Sequence, residues 1–221
     1  ATNALLERRG ARVTLVTTAG FEDVLEVGRQ DRPDIYALQP RRRPPLVPRS
    51  RRLGACERLA AGGKVVVPLE DAEIAAVVRR VRASRPQAIA VGLLHAWSAP
   101  AHERRLARAL RKLGVPVTSA VELVPEIREY ERLAPTVANA FLVPQLSGYL
   151  DTLAASGRGR FEIVLSHGGT APPAQAAREP VRQLLSGPAA GLRAALAAAR
   201  QCGYRTALSL DVGGTSTDCA F

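Results

Sequence analysis

LSLDVGGTSTDCAF, residues 208–221, runs an apolar strand straight into a loop of glycines and hydroxyls. Its centre, DVGGTSTD (211–218), packs two acids, two glycines and three hydroxyls into eight residues. That chemistry suits a phosphate. Gly213 and Gly214 let the backbone turn tightly and aim successive N–H groups at an anion. Thr215, Ser216 and Thr217 add hydroxyl donors, and Asp211 can hold Mg²⁺ directly or through water. The stretch is not a Walker loop, since no Gly-Lys-Ser/Thr follows, and it is not G-x-G-x-x-G. A plain β-hairpin, with Gly-Gly at the turn and threonines on an edge strand, is the other reading of the same residues.

SGPAAG (186–191) stands upstream of this strand and opens an Ala-rich helical segment over 188–201. Ser186 can cap that helix, and Pro188 suits its first turn. With Gly187 beside them, these small residues let either a phosphate or a neighbouring backbone come close to the helix N-terminus. HGG (167–169) follows an apolar run in the same way, with His167 free to point at a ligand or to serve as an ordinary structural histidine. His95 and His102 have no triad or H-E-x-x-H context and receive no catalytic role.

Farther out, apolar runs of strand length alternate with segments of helical period, which implies an α/β fold. The strand candidates are VTLVT (13–17), KVVVPL (64–69), AIAVGLL (88–94), VPVTSA (115–120), FEIVLS (161–166) and TALSLDV (206–212). GFEDVLEVG, between the first two, opens a short helix. Ile74, Val77, Val78 and Val81 fall at i, i+3, i+4 and i+7 behind Glu70 and Asp71, so one face of a helix is buried there. A second helix carries Leu106, Leu110 and Leu113, with Ser98 as its start and Gly114 as its stop. A longer one runs through Val137, Phe141, Leu146, Tyr149, Leu150 and Leu153, with a kink at Pro144. Between them, VELVPEIREYERL (121–133) is charged, and Glu126, Glu129 and Glu131 around Tyr130 read as a solvated linker.

The 221 residues are 47% hydrophobic, enough for a real core. No apolar stretch has the length of a membrane span, so a cytoplasmic protein without membrane contact is expected. Cys56, Cys202 and Cys219 show no metal or redox spacing and read as reduced thiols. The absence of Met and the helical character of ATNALLERRG, together with the strand-like run at Phe221, suggest an internal fragment cut at both ends. The net charge of +11 is concentrated: residues 29–60 hold nine arginines against Asp31, Asp34 and Glu57. Five of the sixteen prolines fall in the same stretch, so RRRPPLVPRSRR reads as an extended surface loop. It lacks the aromatics a single-strand binder would use, and nucleic acid is set aside as a partner.

Taken in order, four segments resemble the hydantoinase A/5-oxoprolinase family, which also includes an acetone carboxylase subunit. They are ATNALLERRGARVTLVTTAGFEDVLEVGRQDRP, EYER with TVANAFLVP, SGPAAG and DVGGTSTD. The resemblance implies an actin-like ATPase architecture of two related α/β domains. Residues 1–125 would be the C-terminal part of the family's N-terminal domain, and 126–221 the N-terminal part of its hydantoinase A domain. It also implies ATP-dependent opening of a cyclic amide, such as 5-oxoproline or a hydantoin, through a phosphorylated intermediate, with a hydantoinase B-type partner subunit or domain. Asp211, Gly213, Gly214, Thr215, Ser216, Ser186 and Gly187 would then bind ATP, with Asp211 placing Mg²⁺. The alternatives are an acetone carboxylase-type subunit and a non-catalytic nucleotide-binding module. LAPTVANAF after EYER and LSHGG depart from the family pattern, which puts the ring specificity in doubt.

Overall fold

The computed structural model describes residues 1–31, 34–39, 44–156, 161–212 and 217–220. It divides into two compact units, Glu7–Gln145 and Ala1–Leu6 with Leu146–Phe221. The chain begins with α1 (Thr2–Leu6), in the second of these.

The Glu7–Gln145 unit starts with β1 (Val13–Thr18), all six residues of which are buried. After α2 (Val24–Val27) come β2 (Arg52–Ala55), β3 (Arg58–Leu59), β4 (Val65–Val67), α3 (Asp71–Ala83) and β5 (Ala88–Gly92). Then follow α4 (Ala101–Arg111), β6 (Val117–Ser119), α5 (Ala120–Leu123) and the first part of α6 (Glu129–Ser156). The sheet has the order β2-β1-β5-β6 and is parallel throughout. The central strand β5 is an uninterrupted apolar run, as a parallel strand covered on both faces requires, and its neighbour β1 buries Thr14, Thr17 and Thr18 along with its valines and Leu15. Val77 and Val81 of α3, and Leu106 and Leu110 of α4, pack into the same core as Val16, Ile89 and Val91. Gly114, at φ +75, ends the α4 segment as the sequence implies. Ser98 does not cap α4; Pro100 stands at the N-cap, with no side-chain hydrogen bond there.

Gly92 ends β5 because nothing larger fits: a Cβ there would overlap Leu133 Cδ2 and lie 3.3 Å from Ala120 Cβ. Leu133 is 2% exposed and has no room to yield. Gly92→Ala is therefore expected to destabilise this unit by about 1–3 kcal/mol, the usual cost of overpacking. A urea midpoint unchanged from wild type in the full-length protein would contradict it.

Two local expectations give way to tertiary context. KVVVPL does form a strand, but β4 pairs antiparallel with β3 outside the main sheet, and Val65, Val66 and Val67 stay 44–60% exposed. The basic segment is not wholly a solvated loop. Arg52 opens β2 at 3% exposure, with Nη1 3.2 Å from Asp23 Oδ1 and 3.0 Å from Glu26 Oε2, while its Nε donates to Val47 O at 3.0 Å. A buried guanidinium is tolerable because these acceptors replace its water. The expected RRR run, Arg41–Arg43, lies outside the described residues.

The second unit is built from hairpins and helices. β7 (Ile163–Val164) pairs with β8 (Thr170–Ala171), followed by α7 (Pro173–Arg178), a 3₁₀ turn (Pro180–Gln183) and α8 (Ser186–Gln201). Only Ile163 and Val164 of the expected FEIVLS strand are in ladder pairing. β9 (Ser209–Val212) then pairs antiparallel with β10 (Thr217–Ala220). α6 carries both Pro135 and Pro144 within its length. Among the described residues no helix is long and apolar enough to cross a membrane.

Candidate functional site

The two ends of the DVGGTSTD segment pair antiparallel, with Val212 opposite Thr217 and Asp211 opposite Asp218. Gly213, Gly214, Thr215 and Ser216 lie outside the described residues. Asp211 is exposed on β9. Its Oδ2 lies 3.8 Å from the position a Cβ would take on Gly191, so the two glycine-rich motifs meet in space although they are distant in sequence. α8 starts at Ser186, and the cap position is Leu185 at φ +60 with no side-chain cap. Ser186 is thus the first helical residue rather than the expected cap. The N–H groups of Ser186 and Gly187 have no partner within the helix, and Pro188 has none to offer; a Cβ on Gly187 would meet open space.

His167 is exposed in the β7–β8 turn, next to Gly168 at φ +80. Gly168 O accepts a hydrogen bond from Arg193 of α8, which ties this turn to the helix. Among the described residues no three His, Cys, Asp or Glu side chains gather as a metal site. A single Asp211 still fits Mg²⁺, which takes one or two carboxylates and completes its shell with water and substrate phosphates.

Sequence reading missed a buried polar network at the carboxyl ends of β1, β5 and β6. Glu103, fully buried, accepts from Leu93 N at 2.9 Å, Ser119 Oγ at 2.7 Å and Val121 N at 2.8 Å. Arg132, also fully buried, approaches it at 3.3 Å and reaches Glu129 Oε2 at 2.7 Å and Leu93 O at 3.3 Å. Among the described residues its Nε has no partner. Burial pushes the Glu103 carboxyl above its ordinary range, against the pull of its donors and of Arg132. Beside this set, Thr18 donates to Glu57 and receives Leu94 N–H at 2.9 Å. Glu57 Oε2 lies 2.8 Å from His102 Nδ1, and His102 Nε2 accepts Leu69 N–H at 3.4 Å. That pairing puts the imidazole proton on Nδ1.

EYER is therefore a clasp and not a solvated linker. Glu129 accepts His95 N–H at 3.0 Å, Arg132 is buried, and Glu131 takes Arg29 Nε at 2.9 Å, which lowers the carboxyl and raises the guanidinium. The Arg29 guanidinium lies 5.8 Å from the Tyr130 ring centre. Glu126 alone of the three acids keeps the expected exposed position. The signal available in sequence was the i, i+3 spacing of Glu129 and Arg132. The second acid that Arg132 meets, Glu103, is 29 residues away from it in sequence.

Comparison with known proteins agrees with this architecture. Residues 1–114 match the hydantoinase/oxoprolinase N-terminal region and residues 132–221 match hydantoinase/oxoprolinase. The solved nucleotide-free structure of acetone carboxylase, from work on ATP-dependent acetone carboxylation, superimposes with a TM-score of 0.83 at 28% identity, over 99% of this chain and 33% of that one. The caprolactamase subunit alpha of Pseudomonas jessenii is 33% identical over 99% of this chain and 33% of its own length. The 5-oxoprolinase of Saccharomyces cerevisiae is 28% identical over 99% of this chain and 19% of its own. The chain thus spans about a third or less of the proteins it matches. Its mixed α/β fold with a parallel sheet is of the actin-like ATPase type, and the chain belongs to the hydantoinase/oxoprolinase family.

Proposed function

We propose that this chain is part of an ATP-dependent enzyme that opens a cyclic amide, with 5-oxoproline, a hydantoin or a larger lactam as substrate. The observation that carries the reading is the meeting of Asp211 with Gly191, which brings a strand-end carboxylate beside the small-residue start of α8. An amide carbonyl is a poor electrophile, and transfer of a phosphoryl group to its oxygen makes the carbon open to water. ATP supplies that group when bound. Asp211 positions Mg²⁺, Gly213, Gly214, Thr215 and Ser216 supply backbone N–H and hydroxyl donors by their residue types, and Ser186 and Gly187 direct the N-terminus of α8 at phosphate. Mg²⁺ rests on this donor chemistry. We assign residues 1–125 and 126–221 to the family's first and second regions. The gap between the two matches, 115–131, supports a boundary there.

A carboxylase-type subunit is the second reading, favoured by the likeness to acetone carboxylase. The caprolactamase relative is itself named as a subunit, and a hydantoinase B-type partner fits either reading. The test is ATP hydrolysis by the full-length protein with its partner subunit, in the presence of 5-oxoproline, hydantoin, caprolactam, or acetone with bicarbonate. Stimulation by a cyclic amide supports the first reading. Stimulation by acetone with bicarbonate alone replaces it with the second, and ATP binding without stimulation by any of them leaves a nucleotide-binding module.

A further inference from the structure

We infer that His95 contacts the carbonyl group of the substrate, in a site at the carboxyl end of β5. This rests on the reading above of an enzyme acting on a carbonyl compound. It begins with topology: from β1 the chain runs to β2 on one side, and from β5 to β6 on the other. The connections therefore diverge between the ends of β1 and β5, where open parallel sheets bind their ligands. His95 stands in the turn that leaves β5 there.

The buried network converges on that turn. Leu93 N donates to Glu103, Leu93 O accepts from Arg132, Leu94 N donates to Thr18, and His95 N donates to Glu129. His95 O accepts from Ser98 N at 3.0 Å. Side chains from β1, α4 and α6 thus bind successive backbone groups of three residues. Burying charge for that purpose is costly, and the outcome is a left-handed backbone at His95, φ +56. Arg128, which leads into the clasp, is also left-handed at φ +74. The His95 imidazole itself makes no hydrogen bond among the described residues. It is 28% exposed, with Nδ1 4.0 Å from Glu129 Oε1. A rigid support around one partly open imidazole is how a first contact to a ligand is preorganised. Its two nitrogens offer one donor and one acceptor, which matches an amide or ketone carbonyl and the water that attacks it.

His102 differs in kind: both ring nitrogens are taken, by Glu57 and by Leu69 N–H. It supports the turn, while the His95 ring nitrogens stay without a hydrogen bond among the described residues.

The test uses the full-length protein and reads contact without turnover. Carbethoxylation of histidines by diethyl pyrocarbonate is followed by peptide mass spectrometry, with and without 5-oxoproline, hydantoin, caprolactam or acetone. His95 modification is expected to slow about tenfold at saturating concentration of one of these compounds. Exposed His167 serves as the unprotected reference. Unchanged labelling of His95 with all four overturns the inference. If those compounds nevertheless stimulate ATP hydrolysis, the proposed function stands without it; if they do not, both fall. His95→Gly supplies a second arm, since glycine takes a positive φ freely and keeps the fold. Its thermal midpoint is expected to equal or exceed that of wild type, while the Kd for the protecting compound rises about tenfold or more. Wild-type affinity in that variant also overturns the assignment.

Discussion

Replacing Arg132 with methionine is expected to cost the Glu7–Gln145 unit about 3–5 kcal/mol, the loss seen when one partner of a buried ion pair is removed. Methionine keeps most of the volume, so the loss is electrostatic. Glu103 would be left fully buried with its three hydrogen-bond donors but no cation, and Glu129 would lose its anchor. The effect has a pH signature. Burial already raises the Glu103 carboxyl, and Arg132 opposes that rise. Without Arg132 the carboxyl moves higher still. A carboxyl whose folded-state pKa is raised favours the fold below its unfolded value, and this contribution is lost as pH rises through the folded value. The cost of Arg132→Met therefore grows from about pH 5 to about pH 8. Urea unfolding of the full-length protein at both values checks it. A loss equal at both, or smaller at the higher pH, would show that Glu103 is not the group left exposed to the change. Hydrogen exchange at Leu93, Leu94 and Val121, whose N–H groups face Glu103 and Thr18, should accelerate most.

Asp211→Ala is expected to lower ATP turnover of the full-length protein by on the order of 10²–10³, as for loss of one preorganised group that stabilises transition-state charge. Asp211 is exposed and no core contact depends on it, so the fold should be unaffected within about 0.5 kcal/mol. Turnover lost at unchanged stability separates a phosphate site from a plain hairpin, for which the substitution would be silent. Gly191→Ala probes the neighbouring motif. Its new methyl would stand in ordinary contact with Asp211 at 3.8 Å, so a smaller loss than that of Asp211→Ala is expected. A greater loss would move the site's centre from the strand end to the helix.

Sequence reasoning could propose the candidate site motifs because their chemistry is local. A glycine pair beside acids and hydroxyls, or small residues before an Ala-rich helix, can be recognised without a partner. It did not reach the clasp. Glu129 and Glu131 carry the same charge whether solvated or paired, and the cations that decide between those states are Arg132 on the same helix and Arg29 far upstream. His102 and Glu103 were adjacent but silent for the same reason. Their acceptors and donors come from residues 57, 69, 93, 119, 121 and 132.

By itself the sequence determined which segments become β1, β5, α3 and α4, since apolar period and length act within a few residues. It also determined the family, through four ordered motifs. Only the tertiary structure decided that β2 begins at a buried Arg52 and that β4 leaves the main sheet. It alone turned a run of acids into a clasp around the turn that carries His95. The reason is physical: hydrophobic periodicity is written along the chain, whereas the burial of a charge is affordable only where distant segments bring the compensating charge and hydrogen bonds.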